Sequence, residues 1–207
     1  MGKSRLRSRW LDLEQAVSMS RIFFYPDNTR YVLFTEQALS HMYAHAQRRP
    51  WQKEAGGEVF SSEPDSSGLV IQTATGPNRG DYRRRCAWNP DIKASDRNRQ
   101  IEFAHNRHVV GLWHTHPEIY PSPSARDQKT TWEYLDSFHG DRSCYLMVII
   151  GNHGRVPNMG VWLASCQPSR EWTHLCEATI ACGKTNLHFK RVAQTGVGLQ
   201  NGSCKLA

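Results

Sequence analysis

Apolar and polar positions alternate along the chain in stretches that read by turns as strands and helices. Arg30–Phe34 is a β-rich run, and Thr35 after it stands where a helix cap belongs. From about Glu36 to Arg48, Ala38, Leu39, Met42, Tyr43 and Ala46 recur at helical spacing, and Pro50 helps to stop the helix. Glu54–Ser61 and Leu69–Thr75 are extended segments on either side of a Pro/Asp/Ser/Gly turn, which predicts a hairpin. Arg83–Pro90 reads as irregular or as a short edge strand, and Asp91–Arg107 as a polar surface helix carrying Ile92, Ile101, Phe103 and Ala104. Val109–Trp113 is a short buried strand that leads straight into His114. A proline-rich loop over Pro117–Pro123 precedes a helix from about Ser124 to Phe138. Ser143–Ile150 is the most apolar run and predicts a central strand, which Asn152–Gly154 turns towards a further strand, Gly160–Ser165. Residues 1–20 form a basic lead-in with a short helix around Trp10, Leu11, Leu13 and Val17. Leu187–Val192 reads as a last strand, and the chain from Thr195 as loose.

Strands interleaved with helices predict the α/β class: a single layered α/β/α domain around a mixed β-sheet. The expected division is an N-terminal basic extension over 1–29, the domain itself over 30–166, and a C-terminal extension over 167–207 that completes or decorates it. Composition agrees with a globular protein, at 39% hydrophobic and 22% charged residues. No apolar run approaches the roughly 20 residues that span a bilayer, so no membrane association is expected. The N-terminus MGKSRLRSRWLDLEQ has no apolar core or small-residue cleavage site, which leads us to expect a cytoplasmic protein. The net charge of +7 fits a solvated basic surface or an acidic partner. No recognition motif accompanies it, so nucleic acid is not an expected partner. The six cysteines contain no C-x-x-C pair and are expected as reduced thiols.

The chemistry is concentrated in VVGLWHTHPEIYPSPSARD, Val109 to Asp127. His114 and His116 are two residues apart, so on an extended backbone both imidazoles point to one face. Asp127 falls in the first turn of the next helix. Two histidines and one carboxylate leave a fourth tetrahedral position open, which is the arrangement of a catalytic zinc. By itself H-x-H says little, and Ser124 with Asp127 also reads as a helix capping box. Their combination is more specific. At His114, His116, Pro117, Ser124 and Asp127 the sequence resembles the JAB/MPN (JAMM) metallopeptidases, whose signature is H-T-H-P, a seven-residue spacing after the second histidine, and S-x-x-D.

The resemblance runs over about residues 30–166, through Thr75–Pro77 and the proline-rich loop, and looks like the bacterial branch found in CBASS and Bil anti-phage operons. It implies a JAB/MPN, cytidine-deaminase-like fold and one zinc ion (Zn2+) on His114, His116 and Asp127. An upstream glutamate serves as general base in that family. Glu54 matches it by its place before Gly56–Gly57, and Glu58 is the competitor on the same face of an ideal strand. Glu58 and Ser61 depart from the family pattern, which has an apolar residue and a glycine there. Ser124 would donate to the oxyanion. The implied substrates are a ubiquitin-like modifier and its conjugates, or a precursor cut at the modifier's C-terminus, with E1-like and E2-like enzymes as further partners. Tyr120 and Trp113 flank the motif as groove residues, with a place in the core as the other reading of Trp113. Segment 79–107 lies where the family often carries an insertion near the cleft. The alternatives are a peptidase that processes a sulfur-carrier-like protein and a non-catalytic MPN scaffold.

Overall fold

The computed structural model describes residues 20–183 and 186–191. The expected helix in the lead-in and the loose end from Thr195 lie outside these residues. Among the described residues, two sheets and three helices form the body. A five-stranded sheet has the order β13-β12-β1-β2-β4, built from β1 (Arg21–Phe24), β2 (Tyr31–Phe34), β4 (Gly68–Ile71), β12 (Cys176–Gly183) and β13 (Asn186–Arg191). A six-stranded sheet has the order β11-β10-β9-β8-β3-β5. Its strands are β3 (Gly56–Ser61), β5 (Thr73–Ala74), β8 (His108–Thr115), β9 (Cys144–Ile150), β10 (Met159–Ser165) and β11 (Glu171–His174). Both sheets are mixed: β8 and β9 run parallel, as do β2 and β4. A hairpin of β6 (Tyr82–Arg84) and β7 (Ala87–Asn89) stands apart from them.

The six-stranded sheet is covered on both faces. On one side, Val59, Trp113, Val148 and Val161 pack against β1, β2 and helix α1 (Glu36–Ala44). On the other, Leu112, Tyr145, Met147 and Ile149 meet helix α3 (Ala125–Asp136) through Leu135. Helix α2 (Ile92–Ala104) lies beside β3 and β8. The protein is thus α/β, as its sequence implies, with a second sheet sharing one covering layer with α1. Among the described residues no helix is long and apolar enough to cross a membrane.

Three local expectations change. The predicted hairpin of Glu54–Ser61 with Leu69–Thr75 forms only at its far end, where Thr73 and Ala74 pair antiparallel with Phe60 and Val59. The run breaks at Gln72, whose side chain is held by Ser62, and its first half joins β2 in parallel in the other sheet. Helix α1 stops at Ala44, not near Arg48, because the chain turns at His45 and carries Gln47 into the interior. Strand β1 was not read from the sequence. Its opening arginine looks like surface, yet Arg21 is largely buried and bonds Glu177, Tyr43 and the Pro157 carbonyl.

Gly56 and Gly57 begin β3 where it passes closest to its neighbours. A Cβ on Gly57 would lie 1.8 Å from the Thr75 carbonyl oxygen, a backbone atom that cannot swing aside. Gly57→Ala is therefore expected to cost about 3 kcal/mol and to lower the unfolding midpoint by roughly 6–12 °C. Calorimetry checks this, and an unchanged midpoint would refute the contact.

Candidate metal centre

β8 is buried on both faces, so its alternation sorts its side chains between two environments. Leu112 and His114 face α3, whereas Trp113 and Thr115 face α1. Past the end of the strand, the His116 N–H still donates to the Ile150 carbonyl, which keeps the backbone extended. The two imidazoles consequently meet, with Nε2 atoms 2.9 Å apart and ring centroids at 4.8 Å.

Asp127 arrives from the first turn of α3. Ser124 and Asp127 form the capping box: the Asp127 N–H donates to Ser124 Oγ at 3.2 Å and the Ser124 N–H to Asp127 Oδ2 at 2.7 Å. The cap holds the carboxylate with both oxygens near the histidines, Oδ1 3.4 Å from His114 Nε2. Asp127 Oδ2 is 3.6 Å from His116 Nε2. Glu54, just ahead of β3, approaches from the other side, its Oε1 3.9 Å from His114 Nε2. Glu54, His114 and His116 can bring one ligand atom each within 4.8 Å of one another.

The donor set fits a small tetrahedral ion. Bonds of about 2.0–2.1 Å place ligand atoms roughly 3.4 Å apart; the two Nε2 atoms are 2.9 Å apart, and one Asp127 oxygen lies 3.4 Å from His114 and the other 3.6 Å from His116. The two carboxyls are tuned in opposite directions. Burial pushes the Glu54 carboxyl above its ordinary range, and the nearby imidazoles only partly offset this. Burial also acts to raise Asp127, but hydrogen bonds from His114 and His116 and the Ser124 backbone bond outweigh it and hold Asp127 well below the usual carboxylate range. Burial disfavours the charged form of His116, yet its hydrogen bond to Asp127 and the charges of Asp127, Glu54 and Glu118 raise it overall. A permanently ionised Asp127 suits a ligand, and a Glu54 tuned upwards suits a proton acceptor.

These residues line a cleft of about 260 Å³ together with the hairpin end Cys86–Pro90 and with Glu118 and Arg126. The hairpin forms its roof. Trp88 packs over Gly56, and Arg126 of α3 donates to Asn89 across the opening at 2.5 Å.

Residues 35–171 match the family described as prokaryotic homologs of the JAB domain. The chain belongs to that family. Among curated proteins it is similar to a "CD-NTase/cGAS isopeptidase" of Pseudomonas aeruginosa, with 28% identity over 141 residues, 61% of this chain and 81% of the relative. A Vibrio cholerae protein of the same description is 27% identical over 123 residues, 57% of this chain and 75% of the relative. A solution structure from Desulfitobacterium hafniense superposes with a TM-score of 0.51 at 18% identity, covering 68% of this chain and 87% of that one, and shows the fold alone.

In this JAB-family chain, distance separates the two glutamates that strand parity leaves level. Gly56 pairs with His114 and Glu58 with Leu112, so Glu58 does share the face of His114 but sits further along β3. There it is 2% exposed and held by Arg99 of α2, from Nε at 2.8 Å and Nη2 at 2.5 Å. Trp113 is 0% exposed and its indole donates to the Thr75 carbonyl, which corrects its reading as a groove residue in favour of the core: it packs towards His41 of α1 and His45 just beyond that helix. Tyr120 is 65% exposed on its loop, outside the cleft walls. Arg126, Glu118 and Asn89 were not read from the sequence, since each is an ordinary surface residue until the hairpin and α3 bring them together.

The Glu58–Arg99 pair makes a stability prediction. Arg99→Met would leave a buried carboxylate without its cation, an expected loss of about 2–3 kcal/mol at pH 7, given that Arg99 is one-third exposed. Burial already raises the Glu58 carboxyl, and losing Arg99 raises it further. Protonation relieves the stranded charge, so the deficit is full above the raised value and shrinks as pH falls through it. Denaturant titrations of both proteins across pH 4–8 measure it.

Proposed function

We propose that this protein is a zinc-dependent isopeptidase that cuts a ubiquitin-like modifier at its C-terminus, from a target protein or from a precursor. The observation that carries this reading is the convergence of His114, His116, Asp127 and Glu54 in one roofed cleft, with the two carboxyls tuned apart. Membership of the JAB family and similarity to proteins described as isopeptidases support it.

His114, His116 and Asp127 would hold the ion. A zinc ion there supplies Lewis acidity, polarising a carbonyl and making water acidic enough to lose its proton near neutral pH. Glu54 accepts the proton of the attacking water as the carbon–oxygen bond forms, then delivers it to the amine nitrogen as the carbon–nitrogen bond breaks. Ser124 Oγ already accepts the Asp127 N–H, so its own O–H is left to donate to the oxyanion. Tyr120, exposed on the loop after His116, offers a contact for the modifier. E1-like and E2-like enzymes would produce the conjugates, in the cytoplasm, as part of an antiviral defence.

The test is hydrolysis of the modifier fused through its C-terminal glycine, with and without a chelator. Glu54→Gln is expected to keep one zinc per chain and lose about 10²–10⁴ in turnover, while His116→Ala loses the zinc. Full activity in Glu54→Gln, or full zinc occupancy in His116→Ala, refutes the assignment. A wild-type protein that binds zinc and cleaves no fusion or conjugate is a scaffold. A pH–rate profile of turnover should also show an acid limb, because Glu54 must be ionised to accept a proton.

A further inference from the structure

Gln47 lies three residues beyond α1 and is 1% exposed. A primary amide buried so deeply is costly unless all its groups are bonded. Here they are. Its Oε1 accepts from Thr115 Oγ1 at 3.2 Å, and its Nε2 donates to the Gln52 carbonyl at 3.2 Å and to the Arg85 carbonyl at 2.7 Å. The contacts with Thr115 and Arg85 bear on the metal centre.

Thr115 stands between the two histidines on the opposite face of the strand and is 0% exposed. Its hydroxyl accepts from the Ala55 N–H at 3.0 Å, and its own N–H donates to the Ala55 carbonyl at 2.8 Å. Ala55 follows Glu54. The Glu54 N–H donates to the Arg84 carbonyl at 2.7 Å, and the Glu54 carbonyl accepts from Arg83 Nε at 2.6 Å. Arg83, Arg84 and Arg85 belong to the hairpin that roofs the cleft, so the hydrogen bonds close a circuit from Gln47 through Thr115, Ala55, Glu54 and the hairpin back to Gln47. A leucine or methionine would fill the volume without any of these bonds.

We propose that Gln47 is a positioning residue that sets the hairpin roof and the histidine-bearing end of β8 in one fixed relation. The inference rests on the proposed isopeptidase reading for its kinetic consequences. Clamping Thr115 fixes the roll of the strand, and thereby the direction of the imidazoles on either side of it. Clamping the Arg85 carbonyl fixes the height of the roof, and thereby the space left for a substrate chain. Neighbouring groups of this kind set activity or metal affinity by about 10–100-fold when removed.

Two near-isosteric variants separate the two arms. Gln47→Met cuts both, and is expected to raise KM and lower kcat for the modifier fusion, each by about tenfold. Thr115→Val keeps the amide on the hairpin and removes the hydroxyl that joins Gln47 to the Ala55 N–H, so kcat falls while KM stays within twofold. In the double variant kcat falls no further than in Gln47→Met, because both changes break one circuit. A second readout needs no activity. In the metal-free protein, hydrogen exchange at the Glu54 and Ala55 amides is expected to speed up at least tenfold in Gln47→Met, with Val161 in β10 unchanged. Equal acceleration at all three amides, or wild-type KM and kcat in a folded Gln47→Met protein, overturns the proposal. If the wild-type protein cleaves no fusion, the isopeptidase reading fails, and the exchange pattern alone decides the circuit.

Discussion

The structure depends on the parallel pairing of β8 with β9, one residue pair after another from Gly111 with Leu146 to Thr115 with Ile150. Both strands are buried on both faces. Here one face receives α1 and the five-stranded sheet, and the other receives α3. A slip of one residue would send Trp113 to the α3 side and His114 into the core. The register of a hydrophobic sheet therefore fixes which side chains reach the cleft. Gly111 reinforces it, since a Cβ there would collide with the Leu146 backbone.

The donor cluster is then assembled from three separate elements. The end of β8 provides the histidines, the start of α3 provides Asp127, and the chain entering β3 provides Glu54. Each is held by groups that belong to the fold: a ladder hydrogen bond for His116, a capping box for Asp127, and the hairpin backbone for Glu54. The main chain that carries each donor is thus fixed before the cluster acts.

Much of this was legible in the sequence. The central strand at 143–150, the helix after Ser124 and the H-x-H pair with its capping acid all follow from periodicity and local turn chemistry, which depend on near neighbours. Pairing across long separations was not legible. Strand β1 is completed by β12, more than 150 residues away, through Arg21 and Glu177. The run Leu69–Thr75 is divided between two sheets at Gln72, a residue that looks like any polar position in an alternating strand. Parity alone left Glu54 and Glu58 level; the place before Gly56–Gly57 favours Glu54, and the structure adds the closeness of Glu54 to His114 and the hold of Arg99 on Glu58. Gln47 was hidden for a related reason: an amide near a helix end reads as surface until the chain turns inward beneath it.

The proposed donor set has a consequence for ion selection. It would bring one carboxylate, from Asp127, and two imidazole nitrogens to the ion. Calcium needs six to eight oxygens, and magnesium keeps an octahedron of oxygen and water around it. A single carboxylate beside two imidazoles is poor in oxygen and low in coordination number for either. Such a set would weight the cleft against the hard cations most abundant in biological fluids and towards borderline metals that favour nitrogen.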